Sequence, residues 1–513
     1  MDGVSPFEAA KAPATNTRGM LQLLRKDSWQ FFWLIFHVLI GFLSVNSKWP
    51  LIFWYYLFIL SAGVQFFTRK DLPHLMIYLL GYSLGVEVMA RAIAATPFIP
   101  DQIGKYMGVA GFAFGLALGG PIKRISIYGV LMLILSFPAL IIVPYDSYKP
   151  IVYNYFGLLA LILGVIYCSR QIMTFKNFKE LARIIIYPII SLAVYTFFKA
   201  SQIEKIDYGL TANFESAGGK FTNQVSTLFG LAIGILALAY ITKQLLFRSK
   251  LIDISLLLLF LTRGLLSFSR GGMLSAILAI FIIIIFPKAK AAWQDNEVVL
   301  RRFSPGPVFA AMIIVVLTFV AINAYTDNYL LYRYQGKTER SLQTGFDNTL
   351  DLDQISSGRY AIMMSDIRMF LAYPALGVGV GYSKLERVNF GGGEGLNAHL
   401  EISRLLAEHG LPGLVLVIMI FIYPFFRAYN EPNNYKKVIM LLFLTMSLAT
   451  TFHSAMRTMI SPLLFAFAFI NYVPTNYDWR PLLMNKKRRV QHQQRQLMEQ
   501  PAQEPALQSS LAS

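Results

Sequence analysis

The chain has 513 residues, of which 55% are hydrophobic and only 14% charged, whereas a soluble domain usually carries about 25% charged residues. So few charges cannot cover the surface of a soluble enzyme of this length. The 14% aromatic share excludes a disordered chain, and a single cysteine, Cys168, excludes a disulfide scaffold. The formal net charge of +18, from 46 Lys and Arg against 28 Asp and Glu, does not point to nucleic acid. The basic residues fall mostly in short gaps between apolar runs, where their usual effect is to fix membrane orientation.

The first 28 residues are polar, show no cleavable signal pattern and are expected to be a cytoplasmic segment. Apolar runs able to approach or cross a hydrocarbon layer roughly 30 Å thick follow. They lie near 29–44, 50–67, 73–98, 104–120, 126–144, 150–168, 183–198, 223–241, 252–268, 271–287, 306–323, 411–427, 438–452 and 460–472. Several of these fourteen runs are short for a crossing, so the fold expected is an all-α, polytopic integral membrane protein with about twelve to fourteen transmembrane helices. Arg69/Lys70, Lys123/Arg124, Arg170/Lys176/Lys179/Arg183 and Lys243/Arg248/Lys250 alternate with connections that hold far fewer basic residues. That asymmetry puts both termini in the cytoplasm. The chain then divides into a cytoplasmic segment 1–28, transmembrane helices over 29–323, an outer loop 324–410, further helices over 411–472, and a basic tail 473–513. The tail is expected to be disordered and to lie against anionic lipid.

Two outer connections exceed what a link requires: 199–222, and 324–410 with its 87 residues rich in Gly, Asp, Arg and Tyr. Function is expected in the longer one, which should carry short amphipathic helices. Its stretch GEGLNAHLEISRLLAEHGLPGL reads as a Gly-rich loop, Asn397 as N-cap, and a helix ending at Gly410. His399 would sit in the first turn, where the positive helix end disfavours imidazolium and keeps the ring able to accept a proton. His409, beside Gly410, reads instead as a C-terminal helix charge.

Arg270, in SFSRGGML at the outer end of a span, is costly near a bilayer and so a functional candidate, with Gly271 and Gly272 allowing close approach of a ligand or another backbone. Arg359 opens a probable outer amphipathic helix in SSGRYAIMMSDIRMF. Two guanidinium groups facing the outer leaflet suit a diphosphate, because they grip phosphate oxygens bidentately. Arg263, Arg457 and His453 are secondary candidates, while Glu87 and Arg91, four apart, are expected to pair structurally. Asp351 and Asp353 read as solvated loop acids, GVGVGY at 377–382 lacks the strand and helix of a nucleotide loop, and neither zinc spacing nor a Ser-His-Asp arrangement convinces.

The polytopic layout, the late outer loop, Ser269-Arg270-Gly271-Gly272, Ser357-Gly358-Arg359, and PALGVGVGYS leading to the histidine helix together resemble the O-antigen ligase and polymerase superfamily. Arg270 with Leu274, and His399 with Gly410 and Gly413, are similar to the ligase patterns; Leu400 departs from them, since a polar residue is usual there. The resemblance covers about 220–415 and implies a membrane glycosyltransferase of the bacterial inner membrane that uses neither nucleotide sugar nor metal and no cofactor. Its donor would be a glycan on undecaprenyl diphosphate and its acceptor a sugar hydroxyl of a glycolipid or glycan at the periplasmic face. His399 would be the base, and Arg270 and Arg359 would hold the diphosphate. An O-antigen or exopolysaccharide polymerase is the nearest alternative, and a lipid-linked sugar transporter a more distant one; no nucleic-acid partner is expected.

Overall fold

The computed structural model describes residues 20–68, 74–118, 122, 124–143, 149–204, 206–219, 221–242, 244–286, 305–337, 358–393, 400–456 and 458–475. Among them the helices in chain order are α1 (Met20–Arg25), α2 (Gln30–Leu43), α3 (Trp49–Thr68), α4 (Leu75–Ala92), α5 (Ile103–Leu118), α6 (Ile127–Ser136), α7 (Pro138–Ile141), α8 (Lys149–Cys168), α9 (Phe175–Ser201), α10 (Thr222–Ile241), α11 (Lys250–Leu266), α12 (Arg270–Ile285), α13 (Pro305–Tyr325), α14 (Tyr329–Gln335), α15 (Arg359–Ala372), α16 (Ser383–Glu386), α17 (Glu401–Phe421), α18 (Tyr423–Tyr429), α19 (Asn434–Thr451) and α20 (Ile460–Phe467). Each of the apolar runs read from the sequence contains helix, and the protein is an all-α polytopic membrane protein.

Among the described residues, six helical segments can cross a bilayer by length and composition, or seven if the bent pair α13 and α14 counts as one span. Others are shorter for local reasons. Pro138 divides α6 from α7, because a proline cannot donate to the preceding turn. Pro188 is tolerated within α9 because α4 lies against it at Gly85, where a Cβ would strike the proline ring. The hub consists of α4, α9, α10, α19 and α20, all largely buried, whereas α2 and α3 turn Phe31, Ile35, Phe53 and Leu60 outward. An apolar exterior around a buried, partly polar hub is the arrangement hydrocarbon demands.

Connections alternate between two ends of the bundle. At one end two three-residue strands, β1 (Ile172–Thr174) and β2 (Asn471–Val473), pair in parallel with Ile172 opposite Asn471. Val473, the first residue of the expected tail, closes that pair. Nearby, Arg25 pairs with Glu180 at 2.6 Å and Arg183 with Asp27. The opposite end gathers 92–103, the 199–222 loop, the α11–α12 turn, α14, and the turn between α19 and α20, and it carries the candidate residues.

The α10–α12 crossing sets the spacing at that end. Gly272 lies on the backbone of Ser226, and Gly230 lies on Gly272, so the two helices meet without side chains between them. A Gly272→Leu variant is therefore expected to lose about 1–3 kcal/mol of stability through overpacking, read as a lowered melting temperature of the detergent-solubilised protein. An unchanged melting temperature would show that the crossing is not tight.

Candidate functional site

The segment Ser269-Arg270-Gly271-Gly272 is stitched to the start of α10. The Ser269 hydroxyl donates to Asn223 Oδ1 at 2.7 Å, and the Ser226 hydroxyl donates to the Ser269 carbonyl at 2.7 Å. Gly271 lies beneath the His453 ring, whose Nε2 is 2.9 Å from Thr227 Oγ1. Both glycines thus serve packing, one against a helix backbone and one against an imidazole. Phe268, just upstream, has φ +55°, a left-handed conformation uncommon for a large side chain and held here by the surrounding contacts.

Arg270 opens α12, and its Nη1 donates to the Arg333 carbonyl at 2.9 Å. Arg333 returns the contact: its Nη1 donates to the Leu210 carbonyl at 2.6 Å and its Nε to the Phe268 carbonyl at 3.5 Å. It comes from α14, which folds back by 113° from α13. The bend is local chemistry. Asp327 and Asn328 take positive φ, which short polar side chains tolerate, and Asn323 caps the turn by accepting from the Leu331 amide at 2.9 Å. Arg359 is the first residue of α15, after Gly358 at φ +77°, and the charges of Arg270 and Arg359 both bear on the Arg333 guanidinium. Arg270 and Arg359 therefore share one neighbour. The sequence reading passed over Arg333, although an Asp-Asn turn followed by Tyr329-Leu330-Leu331-Tyr332-Arg333-Tyr334 is the pattern of a short interfacial helix with one cation.

His399, Asn397, Arg457, Asp351, Asp353 and His492 lie outside the described residues. The start of the histidine helix nevertheless corrects the sequence reading. Leu400 is the N-cap, in extended conformation, and α17 starts at Glu401, so Asn397 is not the cap and His399 precedes the helix rather than sitting in its first turn. The carboxylate of Glu401 explains the start: it pairs with Arg404 and accepts from the Met456 amide at 3.1 Å. Glu401, Arg404 and Glu408 share one buried face, with Arg404 Nη1 to Glu408 Oε2 at 3.0 Å and the Ser383 hydroxyl to Glu408 Oε1 at 2.8 Å.

The segment PALGVGVGYS closes the first half of α17. Val378 N–H reaches the Ala407 carbonyl at 2.9 Å, Gly379 N–H the Glu408 carbonyl at 3.1 Å, and Leu411 N–H the Pro374 carbonyl at 2.7 Å. Gly410, at φ +62°, ψ −137°, bends the helix where the sequence placed its end. His409 is corrected too, since its ring is buried against Gly413 instead of forming an exposed helix-end charge. On α15, Asp366 accepts from Arg387 at 2.5 Å and from the Ser403 hydroxyl at 2.7 Å, fixing that helix to α17; burial raises its carboxyl above the ordinary range, against the pull of Arg387.

Arg263 is committed to backbone: it donates to Thr196 Oγ1 at 3.2 Å, to the Thr196 carbonyl at 2.8 Å and to the Ser216 carbonyl, holding the 199–222 loop. Glu87 and Arg91 pair at 2.9 Å as expected, and Glu87 also accepts from the Met459 amide at 3.0 Å. His37 is a core residue bonded to the Trp33 carbonyl at 2.7 Å and to the Tyr82 hydroxyl at 2.8 Å.

The end of the bundle therefore brings Arg270 of α12 against Arg333 of α14, while Arg359 opens α15 and α17 starts two residues after His399. Comparison with curated proteins and with solved structures gave no match. Residues 254–418 match the family model described as O-Antigen ligase, a span that includes Arg263, Arg270, Arg333, Arg359 and His399. Over that span, about a third of the chain, the protein is similar to the O-antigen ligase family.

Proposed function

We propose that this protein moves a glycan from undecaprenyl diphosphate to an acceptor sugar hydroxyl at the periplasmic face of the bacterial inner membrane, in the manner of an O-antigen ligase. The observation that carries the reading is the similarity of residues 254–418 to the O-antigen ligase family, a span that holds Arg270 at the start of α12, against α14, and Arg359 at the start of α15. Among the described residues Arg25, Arg170, Lys176, Lys179 and Arg183 lie at the β1–β2 end, which supports a cytoplasmic assignment for that end and a periplasmic one for the arginines.

In this reading Arg270 and Arg359 match the charge of the diphosphate, so that it can leave with the electron pair of the sugar C1–O bond. His399 takes the proton from the acceptor hydroxyl as its oxygen forms the new bond to C1. The position of His399, just before a helix start, supports that role, because a positive helix end favours the neutral ring. The lipid tail of the donor would lie along the apolar exterior of the bundle, with its headgroup at the arginines.

Replacing the base should cost about 10²- to 10⁴-fold in rate. His399→Ala is thus expected to lose transfer of glycan from the lipid-linked donor while the purified protein keeps its melting temperature; undiminished transfer would remove His399 from the mechanism. Arg270→Lys should be severely impaired, because a point charge does not reproduce a planar fork, and a rate within a few-fold of the unmodified protein would refute the bidentate role. Ligase and polymerase separate in a reconstituted reaction: strict dependence on a second acceptor lipid identifies a ligase, and elongation of the donor alone identifies a polymerase.

A further inference from the structure

Arg270 is held from both sides along the chain, and the second hold is an imidazole. Before it, Ser269 is fastened to α10 through Asn223 and Ser226. After it, Gly271 lies against the ring of His453, a buried residue just beyond α19: a Cβ at 271 would come within 2.6 Å of the ring's Nδ1 and 2.7 Å of its Cδ2. The ring itself is fixed. The Thr227 hydroxyl donates its one proton to the Asn223 carbonyl at 2.7 Å, so at 2.9 Å it accepts from His453 Nε2, which carries a proton. The backbone that bears the ring is fixed as well, since Ala455 takes φ +47° and the Met456 and Met459 amides are bound by Glu401 and Glu87. Glycine weakens a helix relative to alanine, and at 271, in the first turn of α12, the imidazole is what requires it.

We propose that His453 is a positioning residue for Arg270: clamped to α10 at Nε2 and seated on Gly271, its ring sets the first turn of α12 and with it the direction in which the guanidinium leaves the helix. The inference rests on the reading above that Arg270 acts on the donor, and it adds the part that aims it. A long, flexible side chain presents a planar fork at a fixed place only if its backbone is held. Because the turn that carries His453 is also bound to Glu401, the ring references Arg270 to the helix that follows His399. The sequence offers His453 as a secondary member of the site; buried and bonded to Thr227, it acts instead through its neighbour.

The test uses full-length protein in nanodiscs, with undecaprenyl diphosphate as the probe, its dissociation constant as the readout and the melting temperature as the control for folding. His453→Ala removes the ring, His453→Gln keeps a donor for Thr227 without the ring, and Gly271→Ala puts a methyl group into the ring's place. Each is expected to weaken binding by about tenfold, within the range for residues in contact, with the melting temperature of His453→Gln retained. In the Arg270→Ala background, where no guanidinium remains to be aimed, His453→Gln should weaken binding by less than about twofold more. The two contacting positions should also compensate: combined with His453→Ala, Gly271→Ala should weaken binding by less than about twofold more, because the methyl group then has room. If His453→Gln leaves affinity unchanged, or weakens it as much with Arg270→Ala as without, the imidazole does not act through Arg270 and this inference fails while the donor-site reading stands. A full Gly271→Ala loss in combination with His453→Ala overturns it in the same way. If Arg270→Ala itself leaves affinity unchanged, the donor-site reading is refuted and the inference falls with it.

Discussion

The arrangement at the site end depends on two buried carboxylates holding one turn. Glu401 accepts from the Met456 amide and Glu87 from the Met459 amide, so the segment between α19 and α20 is fastened on one side to α17 and on the other to α4. In a region poor in water those amides would otherwise be orphaned, each at a cost of several kcal/mol. The carboxylates in turn need cations, and Arg404 and Arg91 supply them. Removing one member of such a pair leaves a buried charge uncompensated, which costs about 3–5 kcal/mol. The turn also bears His453, whose ring rests on Gly271. One chain of contacts, hydrogen-bonded at Glu401 and packed at His453, therefore runs from the residue after the N-cap of α17 to the residue after Arg270.

The molecule uses its charges in two ways. The buried set of Glu87, Arg91, Glu401, Arg404, Glu408, Asp366 and Arg387 is internally paired, with Arg404 shared between Glu401 and Glu408, and serves the framework. At the outer end Arg270 and Arg333 are instead bonded to backbone carbonyls, of Arg333 and of Leu210. The sequence does not distinguish these sets, since Arg404 and Arg270 are both arginines near the start of helices.

Much of the framework was legible because hydrocarbon imposes long apolar runs, and each of those runs contains helix. Glu87 with Arg91 was legible from a four-residue spacing on one helix face. Arg333 was not, since its meaning comes from a reversal of chain direction at Asp327 and Asn328, which no periodicity encodes. The cap of α17 was misread because Asn397 is the better capping residue by type, while the actual start is dictated by the tertiary contacts of Glu401. The task of the Gly-rich run at 377–382, closing carbonyls of α17, is visible only once the two segments are adjacent.

The pairing of β1 with β2 joins positions that the ribosome produces about three hundred residues apart. Because α20 packs on α8 and Asn471 hydrogen-bonds back to Ser169 and Gln171, the bundle cannot close until its last membrane segment has emerged. Until then the early helices must wait in the lipid with their inner faces unfilled, so biogenesis of this protein is governed by its latest-made portion.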